Sequence, residues 1–182
     1  AKSDGTFPHF RQRFGVLPTV SVPYMDAWRW RRNGVDRLRV RLDLEHKESH
    51  SVNVIAEIPG REATLPALTL TSHFDTQPGN CGADDNAGGV ACVLALARVF
   101  GRQPMRRTLR FAAFGAEEQL SVGAADYVRR NRITPADTGL VLNFDSVASH
   151  LGHYVLWTAA DERLPRFAVR TLAKKGIDAD GQ

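Results

Sequence analysis

From Asp36 the chain alternates strictly, with Leu38, Val40, Leu42 and Leu44 on one parity and Arg37, Arg39, Arg41 and Asp43 on the other. A period of two predicts a half-buried strand with one wet face over 37–44. A polar break, EHKESHS, follows, and then VNVIAEIPG reads as another strand. The short apolar run PALTLTS, residues 66–72, leads straight into His73-x-Asp75. Beyond it the period changes. Residues 86–100 are apolar nearly all round, which predicts a buried helix. RRTLRFAAFGAEE reads as a strand, SVGAADYVRRN as an amphipathic helix, TGLVLNFDS and HYVLWTA as strands, and ERLPRFAVRTLAKKG as a helix stopped by Gly176. Ahead of all this, LPTVSVPYMDAWRWRRNG gives a short strand, a turn at Pro23 and a short helix ended by Gly34. Strands alternating with helices imply an α/β sandwich containing parallel pairs.

At 182 residues the chain is long enough for a sizeable core, and 43% hydrophobic with 24% charged residues is ordinary for a globular protein. The net charge of +4 is modest. Basic residues cluster over 28–41, but there they form the wet face of the alternating segment, and no recognition motif accompanies them, so nucleic acid is not expected as a partner. No apolar run reaches the length of a membrane span; the longest is Val90 to Val99. The first residues lack the apolar core of a signal peptide. Cys81 and Cys92 make no disulfide framework. Cys92 reads as a core residue, and Cys81 is a fringe candidate for a metal ligand.

Chemistry-bearing residues gather at the ends of the expected strands: His73 and Asp75 after one, Glu117 and Glu118 after the next, Asp145 at the end of a third. In α/β sheets the carboxyl ends of the strands form ligand sites. Asp84 and Asp85 follow His73 within ADDNAGG. Each group has a structural explanation by itself. Asp85 or Asn86 suits a helix N-cap, and the glutamate pair suits a helix dipole. Together they need a shared cause. A cation answers the desolvation cost of so many carboxylates, and carboxylates mixed with imidazole suit zinc. One carboxylate can bridge two ions. A glutamate beside a ligand glutamate is placed to pass a proton from water to a leaving amine.

The segments NVIAEIPG, LTLTSHFDT, GADDNAGGVA, LRFAAFGAEEQLSVGAADYV and LVLNFDSV resemble the co-catalytic di-zinc aminopeptidases, which include secreted bacterial leucine-type enzymes. The resemblance implies a zinc-exopeptidase fold, a mixed sheet flanked by helices in an αβα sandwich, that releases residues from peptide N-termini with two Zn2+ ions. By position, His73 and Asp145 resemble ligands of one zinc, Glu118 a ligand of the other, and Asp84 the aspartate bridging both. Glu117 takes the place of the general base, and Asp75 that of the carboxylate orienting the histidine. The family's cis peptide would join Asp84 to Asp85. Residues 1–45 resemble the closing part of a protease-associated domain, leaving 46–182 as the N-terminal and central part of the catalytic domain. The family's last ligand is a histidine well beyond Asp145; His150 and His153 sit too soon for that role. The chain is therefore expected to be a central piece of a longer protein, incomplete at both ends. Family habit favours export. Glutaminyl cyclases share the architecture with one zinc, but their corresponding segment lacks the second acidic residue of ADDNAGG. A carboxypeptidase family with a separate dimerisation domain has a different glycine–aspartate segment. A non-catalytic binding module of the same fold would be expected to lose ligands, and none is lost among those this chain could hold.

Overall fold

The structure is a computed structural model that describes residues 22–41, 48–103, 105–159 and 162–181. Its contacts divide the chain into two units, Ala1–Ser49 and His50–Gln182. The first unit holds α1 (Tyr24–Arg32). In the second, β1 (Val54–Ile58), β2 (Ala67–His73), α2 (Gly89–Phe100), β3 (Leu109–Phe114), α3 (Val122–Asn131) and β4 (Thr138–Asn143) follow in order. They are succeeded by β5 (Tyr154–Leu156), α4 (Arg163–Ala173) and β6 (Ala179–Gly181). None of the described helices is long and apolar enough to cross a membrane.

The run that precedes His73 becomes the inner strand of a four-stranded mixed sheet ordered β1-β3-β2-β4. β2 lies parallel to both β3 and β4, and β1 is antiparallel to β3. Parallel neighbours need crossovers. α2 supplies one between β2 and β3, and α3 the other between β3 and β4. β2, β3 and β4 therefore end at the same edge of the sheet, and the loops bearing the acidic residues emerge there. β5, α4 and β6 repeat the device as a small parallel pair.

Register decides which residues share a face. Leu68 and Leu70 pair with Leu109 and Phe111, and this face packs on α2 through a core of Leu70, Val93, Leu109 and Phe111. The opposite face carries Thr69, Thr71 and His73, in register with Arg110, Ala112 and Phe114. It is unusually polar for a buried surface. α3 covers part of it, with Tyr127 against Phe114 at 5.7 Å between ring centroids. A cavity of about 320 Å³ remains between helix and sheet, lined by Thr69, Thr71, His73, Glu117 and Asn143 among others.

Three expectations need correction. Residues 37–41 form no strand, and both Leu38 and Val40 are exposed, at 58% and 57%. Alternation marks a potential face but supplies no neighbour to pair with. Residues 42–44 and the short strand expected before Pro23 lie outside the described residues. α2 begins at Gly89 rather than Asn86, and it is not buried all round, because Leu94 and Val99 are 64% and 54% exposed. Only the side bearing Val93, Leu96, Ala97 and Phe100 meets the core cluster. β6, Ala-Asp-Gly, has no apolar alternation that would have announced it.

Candidate metal centre

His73 is the last residue of β2 and only 2% exposed. Its Nδ1 lies 3.0 Å from the main-chain oxygen of Asp75, so the ring N–H donates to that carbonyl when the imidazole is neutral. Nε2 then faces the acids. It is 2.9 Å from Oδ1 of Asp85 and 3.4 Å from Oδ1 of Asp145. The ligating atoms of His73, Asp85 and Asp145 all lie within 4.8 Å of one another.

A wide, interrupted helical turn over Ala83–Gly88 delivers Asp85 to this group. Backbone angles at Asp85 (φ −110°, ψ 87°) and Asn86 (φ −142°, ψ 45°) leave the helical region. Successive side chains consequently point in different directions. Asn86 turns inward, 2% exposed, and its Nδ2 donates to the Phe144 carbonyl at 2.9 Å. Its Oδ1 accepts from the Gly89 amide at 2.9 Å, the cap expected at the start of α2. Thr76 Oγ1 donates to the Asp85 carbonyl at 3.0 Å. A Cβ on Gly89 would stand 2.3 Å from both Asn86 Oδ1 and the Phe144 oxygen, so this approach admits only glycine.

The resemblance implies Asp84 at the histidine; the structure puts Asp85 there. Asp84 points to the loop after β4, where its Oδ1 accepts from the Ala148 amide at 2.8 Å. The cis peptide likewise falls one residue on, between Asp85 and Asn86. Sequence spacing alone does not distinguish adjacent carboxylates, whereas the extended backbone at Asp85 does.

Glu117 and Glu118 sit on the loop that follows β3. Ser121 Oγ donates to Glu117 Oε1 at 3.0 Å, and Gln77 Nε2 to Glu118 Oε2 at 2.5 Å. The other oxygen of Glu118, Oε1, is buried without a partner. Both oxygens of the Asp75 carboxylate are spent on amides: Oδ1 accepts from Glu117 N–H at 3.0 Å and Oδ2 from Glu118 N–H at 3.2 Å. That carboxylate stands 3.6 Å from His73 Nδ1, too far for a hydrogen bond. The Asp75 carbonyl thus makes the hydrogen bond to the ring, and the carboxylate of the same residue lies beside it.

The electrostatics show an excess of negative charge. Burial pulls the His73 imidazole down, yet Asp145, Glu117 and Asp85 outweigh it and hold the ring above its usual pKa. Burial pushes the Glu118 carboxyl up, with Asp85 and Glu117 adding to the effect against the Gln77 hydrogen bond. Crowded acids, a buried orphan carboxylate oxygen and an imidazole nitrogen aimed among them fit a divalent cation. The mixed nitrogen and oxygen donor set fits zinc. Among the other candidates, Cys81 is exposed, and His153 pairs with Asp180 at 3.0 Å, away from this group. Asn86, Gln77, Thr71 and Asn143 are supporting residues that sequence reasoning missed, apart from the capping role open to Asn86.

The profile of peptidase family M28 matches residues 53–177. Human carboxypeptidase Q is 28% identical over 138 residues, covering 71% of this chain and 29% of that protein. Aminopeptidase YwaD of Bacillus subtilis is 42% identical over 59 residues, 32% of this chain and 13% of that protein. The crystal structure of BSAP, a zinc aminopeptidase from Bacillus subtilis, superposes with a TM-score of 0.62 at 25% identity, covering 71% of this chain and 34% of that one. The chain thus spans under a third of the length of these curated relatives.

Proposed function

The chain belongs to peptidase family M28, and from that premise we propose that the whole protein hydrolyses peptides with zinc, releasing N-terminal residues. The observation that carries the reading is the convergence of His73, Asp85 and Asp145 within 4.8 Å at one sheet edge. Glu117 lines the same cavity as His73. In this reading His73, Asp85 and Asp145 would hold one zinc, and Glu118 together with Asp85 would hold a second. The unpartnered Glu118 oxygen supports that second position. Zinc, when bound, supplies Lewis-acid chemistry that polarises a carbonyl and activates water.

The protein's own residues do the rest. Glu117, fixed by Ser121, takes a proton from water and returns it to the leaving amine. His73 presents Nε2 because the Asp75 carbonyl occupies Nδ1. The choice of the N-terminal end rests on the names of the two Bacillus relatives, both aminopeptidases, against carboxypeptidase Q. We also assign residues 1–45 to the tail of a protease-associated-like insertion and 46–182 to the catalytic domain. What supports a separate leading segment is that the family match starts at 53 and the contacts divide after Ser49.

The test is Glu117→Gln in the full-length protein. Zinc content should stay at the wild-type level, while hydrolysis of an aminoacyl-anilide falls by roughly 10²–10⁴-fold. Undiminished turnover would remove Glu117 from the role of base. Cleavage of N-acetylated peptides as fast as free ones would remove the N-terminal specificity.

A further inference from the structure

Helix α3 begins in a way that its sequence does not require. Ser121 stands at the N-cap, where serine ordinarily has extended backbone and accepts from an amide of the first turn. Here φ is +56° and ψ 34°, the left-handed region that side chains disfavour, and the side chain makes no cap hydrogen bond. Its hydroxyl donates instead to Glu117 Oε1 at 3.0 Å. Main-chain bonds close the same turn, with the Ser121 amide on the Glu117 carbonyl at 2.7 Å and the Val122 amide on the Ala116 carbonyl at 3.0 Å. Ala116 and Leu120 are left-handed as well, at φ +52° and +64°. Such a segment persists only where its surroundings over-determine it. Asn53, just before β1, holds both ends of it. Its Oδ1 accepts from the Gly115 amide at 3.2 Å, and its Nδ2 donates to the Gly123 carbonyl at 2.9 Å. Gly123 permits this closeness, because a Cβ there would lie 2.0 Å from the Gly115 oxygen.

We infer that Ser121 is a positioning residue for Glu117, holding its carboxylate with the hydroxyl that its own helix forgoes. Glu117 and Ser121 line the same cavity as His73. A glutamate side chain turns about several torsions, and it accepts a proton only from the rotamers that bring an oxygen within hydrogen-bond reach. A fixed donor one turn away removes that freedom before substrate arrives. The loop thereby gives up stability at Ser121 and gains an ordered carboxylate. The role rests on the reading of Glu117 as base. It goes further in requiring that stability and turnover move in opposite directions when Ser121 is replaced.

The test compares Ser121→Gly with Ser121→Thr in the full-length protein. Glycine adopts a positive φ without strain but has no hydroxyl. Threonine keeps the hydroxyl, and its branched Cβ is strained at that φ. In Ser121→Gly the urea midpoint should hold or rise, while kcat on an aminoacyl-anilide falls by about tenfold or more. KM should stay near the wild-type level, and zinc affinity, measured by competition with a chromophoric chelator, within about threefold of it. In Ser121→Thr the midpoint should fall while kcat stays within about threefold of the wild type. A merely structural role would make turnover follow stability. A kcat that survives in the glycine variant and falls in the threonine variant therefore overturns the inference. Should the threonine variant not fold, the glycine variant decides alone, and an undiminished kcat in it overturns the inference equally. Glu117→Gln, measured in parallel, separates this role from the reading beneath it. Turnover lost in Glu117→Gln but intact in Ser121→Gly removes the positioning role alone, whereas turnover intact in Glu117→Gln removes the base and the positioning role with it.

Discussion

Thr71 donates its hydroxyl hydrogen to Oδ1 of Asn143, 2.7 Å away, across the β2–β4 pair. Each residue lies two positions before a candidate ligand, Thr71 before His73 and Asn143 before Asp145. Strand spacing leaves a few tenths of an ångström undetermined at the strand ends, and a part-buried side-chain bond just below them reduces that slack. Thr71→Val keeps the shape and removes the donor. It should cost about 0.5–1.5 kcal/mol in urea unfolding, the net worth of one hydrogen bond, because the exposed Asn143 can turn to water instead. Zinc affinity should fall by about tenfold or more, the scale for groups that orient ligands. Thr71→Ser should restore both. Zinc affinity unmoved in the valine variant would reduce the bond to ordinary sheet cohesion.

Asp85→Asn and Asp84→Asn should part sharply. The first removes a charged oxygen 2.9 Å from His73 Nε2. Zinc binding to this chain should then weaken by more than the roughly 100-fold ceiling for supporting residues. The second retains an oxygen to accept from the Ala148 amide, so zinc binding should remain near the wild-type level. The reverse order, read by the same chelator competition, would return the ligand role to Asp84.

The shift from Asp84 to Asp85 shows what the sequence could and could not carry. β2 was legible as a short run carrying Leu68 and Leu70 on one face and ending at His73, and the carboxyl ends of β2, β3 and β4 had to share an edge once crossovers joined them. His73 and Asp145 followed directly. The choice between two adjacent aspartates did not, since it is made by Asn86 reaching the Phe144 carbonyl, fifty-eight residues away. The same limit explains residues 37–41 and the outer side of α2. Periodicity tells which side chains share a face, and only a tertiary neighbour decides whether that face is covered. The amide contacts of the Asp75 carboxylate were hidden for a similar reason, because main-chain amides leave no mark in a sequence.

Gly89→Ala sets two effects against each other. Alanine favours a helix by up to about 1 kcal/mol over glycine, and Gly89 opens α2. The added methyl, however, would stand 2.3 Å from Asn86 Oδ1 and 2.3 Å from the Phe144 oxygen. The latter is main chain and cannot swing aside. Overpacking of this kind costs about 1–3 kcal/mol, so the urea midpoint should fall. Zinc affinity should fall with it, since the displaced Asn86 adjoins Asp85. A raised midpoint would show that helix propensity wins and that the approach is looser than the distances say.

Asp137 gives a pH signature that does not involve the metal centre. Its Oδ2 accepts from the Thr134 hydroxyl at 2.7 Å and the Thr134 amide at 2.9 Å, closing the turn Pro135–Asp137 that leads into β4. The hydroxyl bond first and the amide bond second hold the carboxyl below its ordinary value of 3.8. A carboxyl depressed in the folded state binds fewer protons there than in the unfolded chain. Its stabilisation is therefore complete above the unfolded value and disappears as pH falls through the folded one. Comparing urea midpoints of the wild type and Asp137→Ala isolates this contribution from every other titrating group. The gap between them should be constant from neutral pH down to about pH 5 and narrow below it. A gap that widened with acid would mean that the carboxyl is raised by folding, and the two Thr134 contacts would then not be the cause of its shift.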